Sequence, residues 1–461
     1  MALPSHPLPD HLVTEIFGSG LSLPDLVKAS HVSRQWRYIA HEHPLFSQDI
    51  SLIAVGRQDL TDGQISLFRF RLGVAGRRPA LVKRLNLTVR ISSTGERAHV
   101  MVSLISLICL HMHRVRCFRV SLPIDCISRL LFSFNNTPAP ALRIFDVSAI
   151  DPCAVSARRP EISPMIFHSH APNLSSIMLS CVRLPPLSMI PAFARATELK
   201  LEDSSRIPTY ASLFRSLLSA CPNVCRLSLS LDLHSNDFLG SDFHPCQQLQ
   251  KLNLYIQGAP IERSIFDSLN CQLIERVTVR TAQLAPESAV LLLDHFSTSS
   301  KINVEVSFAP TLRIYRLRLS DGQKVRKFEY YKLREIYFHY MPLLLQPLVG
   351  KIVHLRIMNG WLDALYALVP STLPALEILE IEDITDTAFP PIVRLSVPRL
   401  VTLVLVGGRC TSIPIEWVES WVLLIGKHTY GLVLRDLVVV GQRPKLWKAF
   451  SRVCIESDVS S

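Results

Sequence analysis

One phrase recurs along most of this 461-residue chain. An apolar residue follows a Pro, Cys or similar breaker, then come two variable positions and Leu-x-Leu or an equivalent pair. Clear copies lie at 80–89 (ALVKRLNLTV), 141–149, 173–181, 223–231, 248–256, 273–281, 332–340, 351–359, 375–383 and 399–407, with weaker ones at 114–122, 196–204 and 311–319. Such alternation is what a strand buried on one face requires, because successive side chains point to opposite faces. The second apolar positions Leu227, Leu252 and Val277, then Leu355, Leu379 and Leu403, step by about 25 residues, and elsewhere the step lengthens to roughly 30 or more. One strand of this kind cannot bury its own face, but stacked copies bury a continuous core. The segments between must return the chain to the next strand. Residues 209–222 (TYASLFRSLLSACP) predict an amphipathic helix with Leu213, Leu217 and Leu218 on one side.

This pattern loosely resembles leucine-rich repeats, although the Asn or Cys that usually follows the strand is mostly missing. The resemblance implies an α/β fold: an irregular leucine-rich-repeat solenoid over 53–441, with parallel β-strands and helices or loops on its convex side. An ordinary α/β domain with parallel strands would alternate in the same way, but no Gly-rich turn opens any helix here. Residues 431–441 (GLVLRDLVVVG) read as a last strand. Trp447, Phe450 and Cys454, three to four residues apart, predict a capping helix within a closing segment, 442–461.

Composition supports a large buried core, with 48% hydrophobic and 19% charged residues. The formal charge of +11 raises the question of nucleic acid. The basic residues are spread out, however, with runs no longer than Arg77-Arg78, so an ordinary basic surface is the expectation and nucleic acid is not. Eleven cysteines without a CxxC pair read as reduced core residues of a cytoplasmic or nuclear protein. No secretory signal is visible at the start. The apolar run 100–110 is shorter than the roughly 20 residues a bilayer requires, so no membrane partner is expected.

The first 52 residues carry a different pattern. Leu8, Leu12 and Ile16 recur every four positions, as on one helical face, and Phe17 widens it. Pro9 and Asp10 suit a first turn, and Gly18 and Gly20 suit a stop. Ser22 and Asp25 have capping-box spacing ahead of Leu23, Leu26 and Val27. A third helix carries Val32, Trp36, Ile39 and Ala40 and ends before Pro44. Three helices this short are marginal alone and should gain stability by packing on something else. A plain helical cap over the first repeat would need the apolar spacing only.

The residues Leu8-Pro9, Glu15-Ile16-Phe17, Leu23-Pro24-Asp25-Leu26, Val32 to Trp36 and Pro44-Leu45-Phe46 resemble the F-box family in order and spacing. His11 stands where that family favours an acidic residue, Ser33 replaces a common Cys, and Phe46 replaces a Trp. The resemblance implies a three-helix F-box over residues 1–52. It also implies a Skp-family adaptor, and through it a cullin scaffold, as partners in an SCF-type ubiquitin ligase. By position, the adaptor contacts are Leu8, Pro9, Leu12, Ile16, Leu26, Val32 and Trp36, some of which must instead hold the helices together.

No Walker loop, GxGxxG, HExxH or GxSxG motif occurs. The pairs His41/His43 and His111/His113 lack a third ligand at suitable spacing. Neither a metal, a cofactor nor catalysis is expected, and binding is the simpler account. In the strands, residues between the buried positions face outward. That places Arg226, Lys251, Tyr255, Arg276 and Arg280 in neighbouring rows, with Tyr337 in a later one. These basic rows suit an acidic or phosphorylated target protein. The expectation is a substrate-recognition subunit. The alternative is a protein-interaction scaffold working outside any ligase.

Overall fold

The computed structural model describes residues 8–18, 20–54, 61–77, 85–91, 98–150, 159–203, 216–232, 248–257, 266, 269–281, 286–309, 314–331, 344–358, 372–384, 395–425, 430–440 and 450–456. The chain forms two compact units, Met1–Ser230 and Leu231–Ser461.

The first unit opens with helices α1 (Asp10–Gly18), α2 (Leu23–Ala29), α3 (Arg34–Glu42) and the single turn α4 (Pro44–Ser47). Strand β1 (Asp49–Ala54) follows directly, then α5 (Asp62–Arg77), β2 (Leu85–Ile91), α6 (Ala98–His111), β3 (Val115–Pro123), α7 (Ile124–Phe134), β4 (Ile144–Ile150), β5 (Ser176–Ser180), β6 (Glu198–Asp203) and most of β7 (Arg226–Asp232), within which the division falls. Strands β1 to β6 pair in chain order, all parallel. Each Leu-x-Leu position therefore stacks on the next. Ile50, Leu87, Phe118, Phe145, Ile177 and Leu199 form one buried row, and Leu52, Val89, Val120, Val147, Leu179 and Leu201 the row beside it.

A tight turn precedes most of these strands. Its closing N–H is that of a buried apolar residue, as in Leu142 to Ala139, Leu174 to Ala171 and Val224 to Cys221. Asn173 and Asn223 tie each turn to the repeat before it, donating to the carbonyls of Pro140 (2.7 Å) and Ala194 (2.6 Å). The breakers seen in the sequence are these turns.

The second unit contains β8 (Lys251–Gln257), β9 (Arg276–Thr281), α8 (Pro286–Leu293), β10 (Ile302–Ala309), β11 (Ile314–Ser320), β12 (Val325–Tyr331), β13 (Ile352–Met358), β14 (Ile378–Ile384), β15 (Thr402–Pro414), α9 (Ile415–Ile425), β16 (Tyr430–Val440) and β17 (Phe450–Glu456). Parallel pairing runs from β8 to β9 and from β13 through β17, and it stacks Leu355, Leu379, Leu403 and Leu432. Between these runs lies an antiparallel meander. β12 pairs parallel with β9, β11 is antiparallel to both neighbours, and β10 pairs parallel with β13. The β11–β12 turn is built on Asp321-Gly322. Gly322 has φ +90°, and the Asp321 carboxylate accepts from the N–H groups of Gln323 and Lys324.

The fold is therefore α/β with a mostly parallel sheet behind an N-terminal helical region. Twelve of the thirteen Leu-x-Leu phrases fall on strands, and the thirteenth, 332–340, lies outside the described residues. Residues 216–220 are helical and bury Leu217, whereas the earlier part of the predicted 209–222 helix lies outside. One expectation is overturned. Phe450–Glu456 is a strand parallel to β16, not a capping helix. Val453 and Ile455 are β-branched and favour a strand, and the three-to-four spacing of Phe450 and Cys454 was too sparse to define a helical face. Trp447 lies outside the described residues.

Candidate functional site

Helix α1 carries two apolar stripes, one position apart. Val13 and Phe17 point inward and are buried. With Leu26, Ile39 and Ala40 they form a core, against which Leu21, Ala29 and Trp36 pack. Leu12 and Ile16 point the other way and are 38% and 42% exposed. Leu8, at 45%, precedes them, and Val32, in the α2–α3 turn, is 64% exposed. A nine-residue helix needs one stripe to fold onto its neighbours. The second is surplus to the fold.

The caps hold this geometry. The Asp25 carboxylate accepts from the Ser22 hydroxyl at 2.5 Å and the Ser22 N–H at 3.3 Å, and the hydroxyl's hydrogen bond leads in holding the carboxyl below its usual range. Ser33 caps α3 by accepting from Trp36 N–H. Gly20, at φ +88°, makes the turn into α2. Gln35 of α3 donates to the Leu8 carbonyl (2.6 Å) and the Asp10 carboxylate (2.5 Å), which fixes Leu8 and Pro9 at the mouth of α1.

Of the seven positions assigned to adaptor contact, Leu8, Pro9, Leu12, Ile16 and Val32 are exposed. Leu26 is not. It has no exposed surface and belongs to the helical core, so its role is to hold the helices together. Trp36 is half-buried, its ring edge-on to Phe17 at 5.5 Å. Residues 7–50 match the family model described as F-box-like. This helical region is an F-box-like domain. A comparison with curated proteins finds no match to the chain.

The F-box-like domain is tied to the first strand by a residue the sequence did not flag. Arg71, on α5, is 1% exposed. It donates to the carbonyls of Phe46 (2.9 Å), Leu45 (2.5 Å) and Asp49 (2.7 Å), and its guanidinium lies 5.6 Å over the Phe46 ring. Burial lowers its pKa to about 10, so it stays charged at neutral pH. The carbonyls between α4 and β1 thus find a donor inside the fold.

The outward residues chosen on the strands divide. Arg226 and Lys251 are exposed, as is Arg276, which lies 3.6 Å from the carboxylate of its chain neighbour Glu275. Tyr337 lies outside the described residues. Arg280 and Tyr255 belong to a structure the sequence did not reveal. Arg280 lies 5.7 Å over the half-buried Tyr255 ring and donates from Nε to Glu329 at 2.5 Å. Glu329, only 3% exposed, also takes Arg316 at 3.2 Å and Lys327 at 2.7 Å. Burial alone would raise its pKa, but the hydrogen bonds from Lys327 and Arg280 hold it below the usual range. Among the described residues, no cluster of His, Cys, Asp or Glu is arranged to hold a metal, and no helix is long and apolar enough to cross a membrane.

Proposed function

We propose that the chain is the substrate-recognition subunit of an SCF-type ubiquitin ligase. The F-box-like domain binds a Skp-family adaptor, and through it a cullin scaffold. The strand-bearing remainder, read as an irregular leucine-rich solenoid, holds a target protein. The chain makes no bond itself; it raises the concentration of the target near a ubiquitin-charged enzyme. Eight described cysteines are free thiols, which supports a cytoplasmic or nuclear setting.

The observation that carries this reading is the surplus stripe on α1. Leu12 and Ile16 are exposed beside a core that is already filled by Val13, Phe17 and Leu26. Covering such partly exposed side chains is worth roughly 1–2 kcal/mol each, and Leu8, Pro9 and Val32 extend the same chemistry. The adaptor contact therefore comprises Leu8, Pro9, Leu12, Ile16 and Val32, with Trp36 contributing its open edge and Leu26 acting only through the core.

Co-purification with a Skp-family adaptor tests the reading. The double variant Leu12→Asp/Ile16→Asp should lose the adaptor while keeping its thermal transition, since both side chains lie outside the helical core. Full adaptor recovery by that folded variant defeats the proposal.

A further inference from the structure

The outward faces of β2 to β6 hold a groove of about 350 Å³ that no part of the sequence reading assigned. Its floor follows from register. Ser121, Ser148 and Ser180 are cross-strand partners on β3, β4 and β5, with Arg90 on β2 at one end and Glu202 on β6 at the other. Strands lie about 4.8 Å apart, so this row is roughly 19 Å long. The next row along the strands is Arg119, Asp146, Met178 and Lys200, whose larger side chains form one bank; Ile150 stands on the other.

Eight of the twelve residues that line the groove are polar, and most of those have no partner among the described residues. Among the described residues, the side chains of Arg90, Arg119, Asp146, Ser121, Ser148 and Ser180 make no hydrogen bond or ion pair. Only Lys200 and Glu202 pair, at 2.5 Å, with both side chains 44% exposed. A pair that open contributes little and is easily exchanged. Burial is the main cause raising the Asp146 pKa, and it outweighs the nearby charges of Arg119, Lys200 and Arg90. Serine hydroxyls both donate and accept, and their small size admits a main chain closely.

Three cations face two carboxylates in this groove, leaving one net positive charge at the Arg90–Arg119 end. That balance suits a single carboxylate. A doubly charged phosphate would press its second charge against Asp146. We propose that the groove holds an extended segment of a partner protein, its main chain against Ser121, Ser148 and Ser180 and one Asp or Glu side chain against Arg90 and Arg119. At about 3.3 Å per residue, roughly six residues span it. The inference rests on the reading of the strand faces as target-binding and says where, and to what chemistry, that binding is directed.

The test uses the full-length chain and four pools of fluorescent decapeptides, degenerate except for a central Glu, Gln, Lys or phosphoserine, read by fluorescence polarisation. The Glu pool should bind about tenfold more tightly than the Gln and Lys pools. It should also exceed the phosphoserine pool. Arg90→Gln/Arg119→Gln should erase the preference, and Ser148→Tyr, which fills the groove, should abolish binding. An unchanged cooperative thermal transition and far-UV spectrum of these full-length variants establish that the strands still fold. Preference for phosphoserine or Lys, no binding by any pool, or Glu binding kept by both variants overturns the proposal. A target protein retained by Ser148→Tyr would leave the ligase reading intact while removing this groove from it.

Discussion

The outward faces of the two units treat charge in opposite ways. On β2 to β6, among the described residues, the side chains of Arg90, Arg119, Asp146 and the groove serines make no hydrogen bond or ion pair within their sheet. On β9 to β14 nearly the same residue types are tied to one another. Glu329 takes Arg280, Arg316 and Lys327; Arg318 faces Glu305 at 3.4 Å; and Arg356 binds Glu382 and approaches Glu380, which also takes Arg435 at 3.3 Å. A charge that is satisfied within its sheet has little left to offer a ligand. Counting basic residues in a strand therefore misleads, and the register of the neighbouring strand decides what they can do.

The interior should not show this contrast. Both units bury arginines that donate to main-chain carbonyls; in the first, Arg114 joins Arg71 by donating to the Leu72 carbonyl at 3.0 Å. Arg326, with no exposed surface, reaches the carbonyls of Cys271, Glu275, Leu292 and Val325, as Arg71 reaches those around α4. Arg71→Met and Arg326→Met should each cost about 3 kcal/mol or more in urea unfolding, because several buried acceptors lose their donor together. Lysine should not rescue either, since it lacks the planar fork. If one variant is silent, the difference between the units extends below their faces.

Next in size is the contrast itself. Glu329→Gln leaves three cations facing one another and should destabilise by about 2–3 kcal/mol. Asp146→Asn removes a carboxylate that burial disfavours and should change stability by no more than about 0.5 kcal/mol, or raise it. Equal losses in the two variants would show that the first face is as internally bonded as the second.

How far the sequence reached follows the same line. Alternation located most strands, because burying one face of a strand is a local demand. The two stripes of α1 were legible as apolar residues, but Leu26 and Leu12 look alike until the helices are packed. The meander was readable and missed: Asp321-Gly322 sits between the alternating runs IYRLRLS and KVRKFEY, a hairpin signal. The Arg280–Glu329 pair, 49 residues apart, was not readable, since it exists only because β12 inserts beside β9. Arg71 looks like an ordinary helix-surface residue until α5 is laid against α4.

Acid should separate the faces by a smaller amount. Glu329 has a depressed pKa, so its stabilisation is complete above the unfolded value of 4.5 and is lost as pH falls through the folded one. Asp146 has a raised pKa, so its burial penalty is present at neutral pH and disappears as the group takes up its proton. His111 and His295, both lowered to about 4 chiefly by burial, add a loss between pH 6.5 and 4 in each unit. Thermal melts from pH 7 to 3 should show the gap between wild type and Glu329→Gln closing from below pH 4.5. Any advantage of Asp146→Asn should fade as pH falls through that group's raised folded value toward 3.8. A gap for Glu329→Gln that widens on acidification would mean the carboxylate is not the charged anchor of that cluster.

A small effect belongs to an exposed pair that spans two strands of the second face. The Arg318 and Glu305 side chains are 52% and 32% exposed and lie on directly opposed positions of β11 and β10. Opposite charges at such cross-strand positions contribute about 0.2–1 kcal/mol, and like charges cost a similar amount. Arg318→Glu alone loses the first and incurs the second, so it should lower stability by roughly 0.4–2 kcal/mol, at the low end for a pair this exposed. Adding Glu305→Arg reverses the pair and should restore it, even though Arg356 on β13 then faces the new arginine across the sheet. If the double variant recovers nothing, Arg356 depends on Glu305 as well as on Glu380 and Glu382, and the second face is one connected network rather than separate pairs.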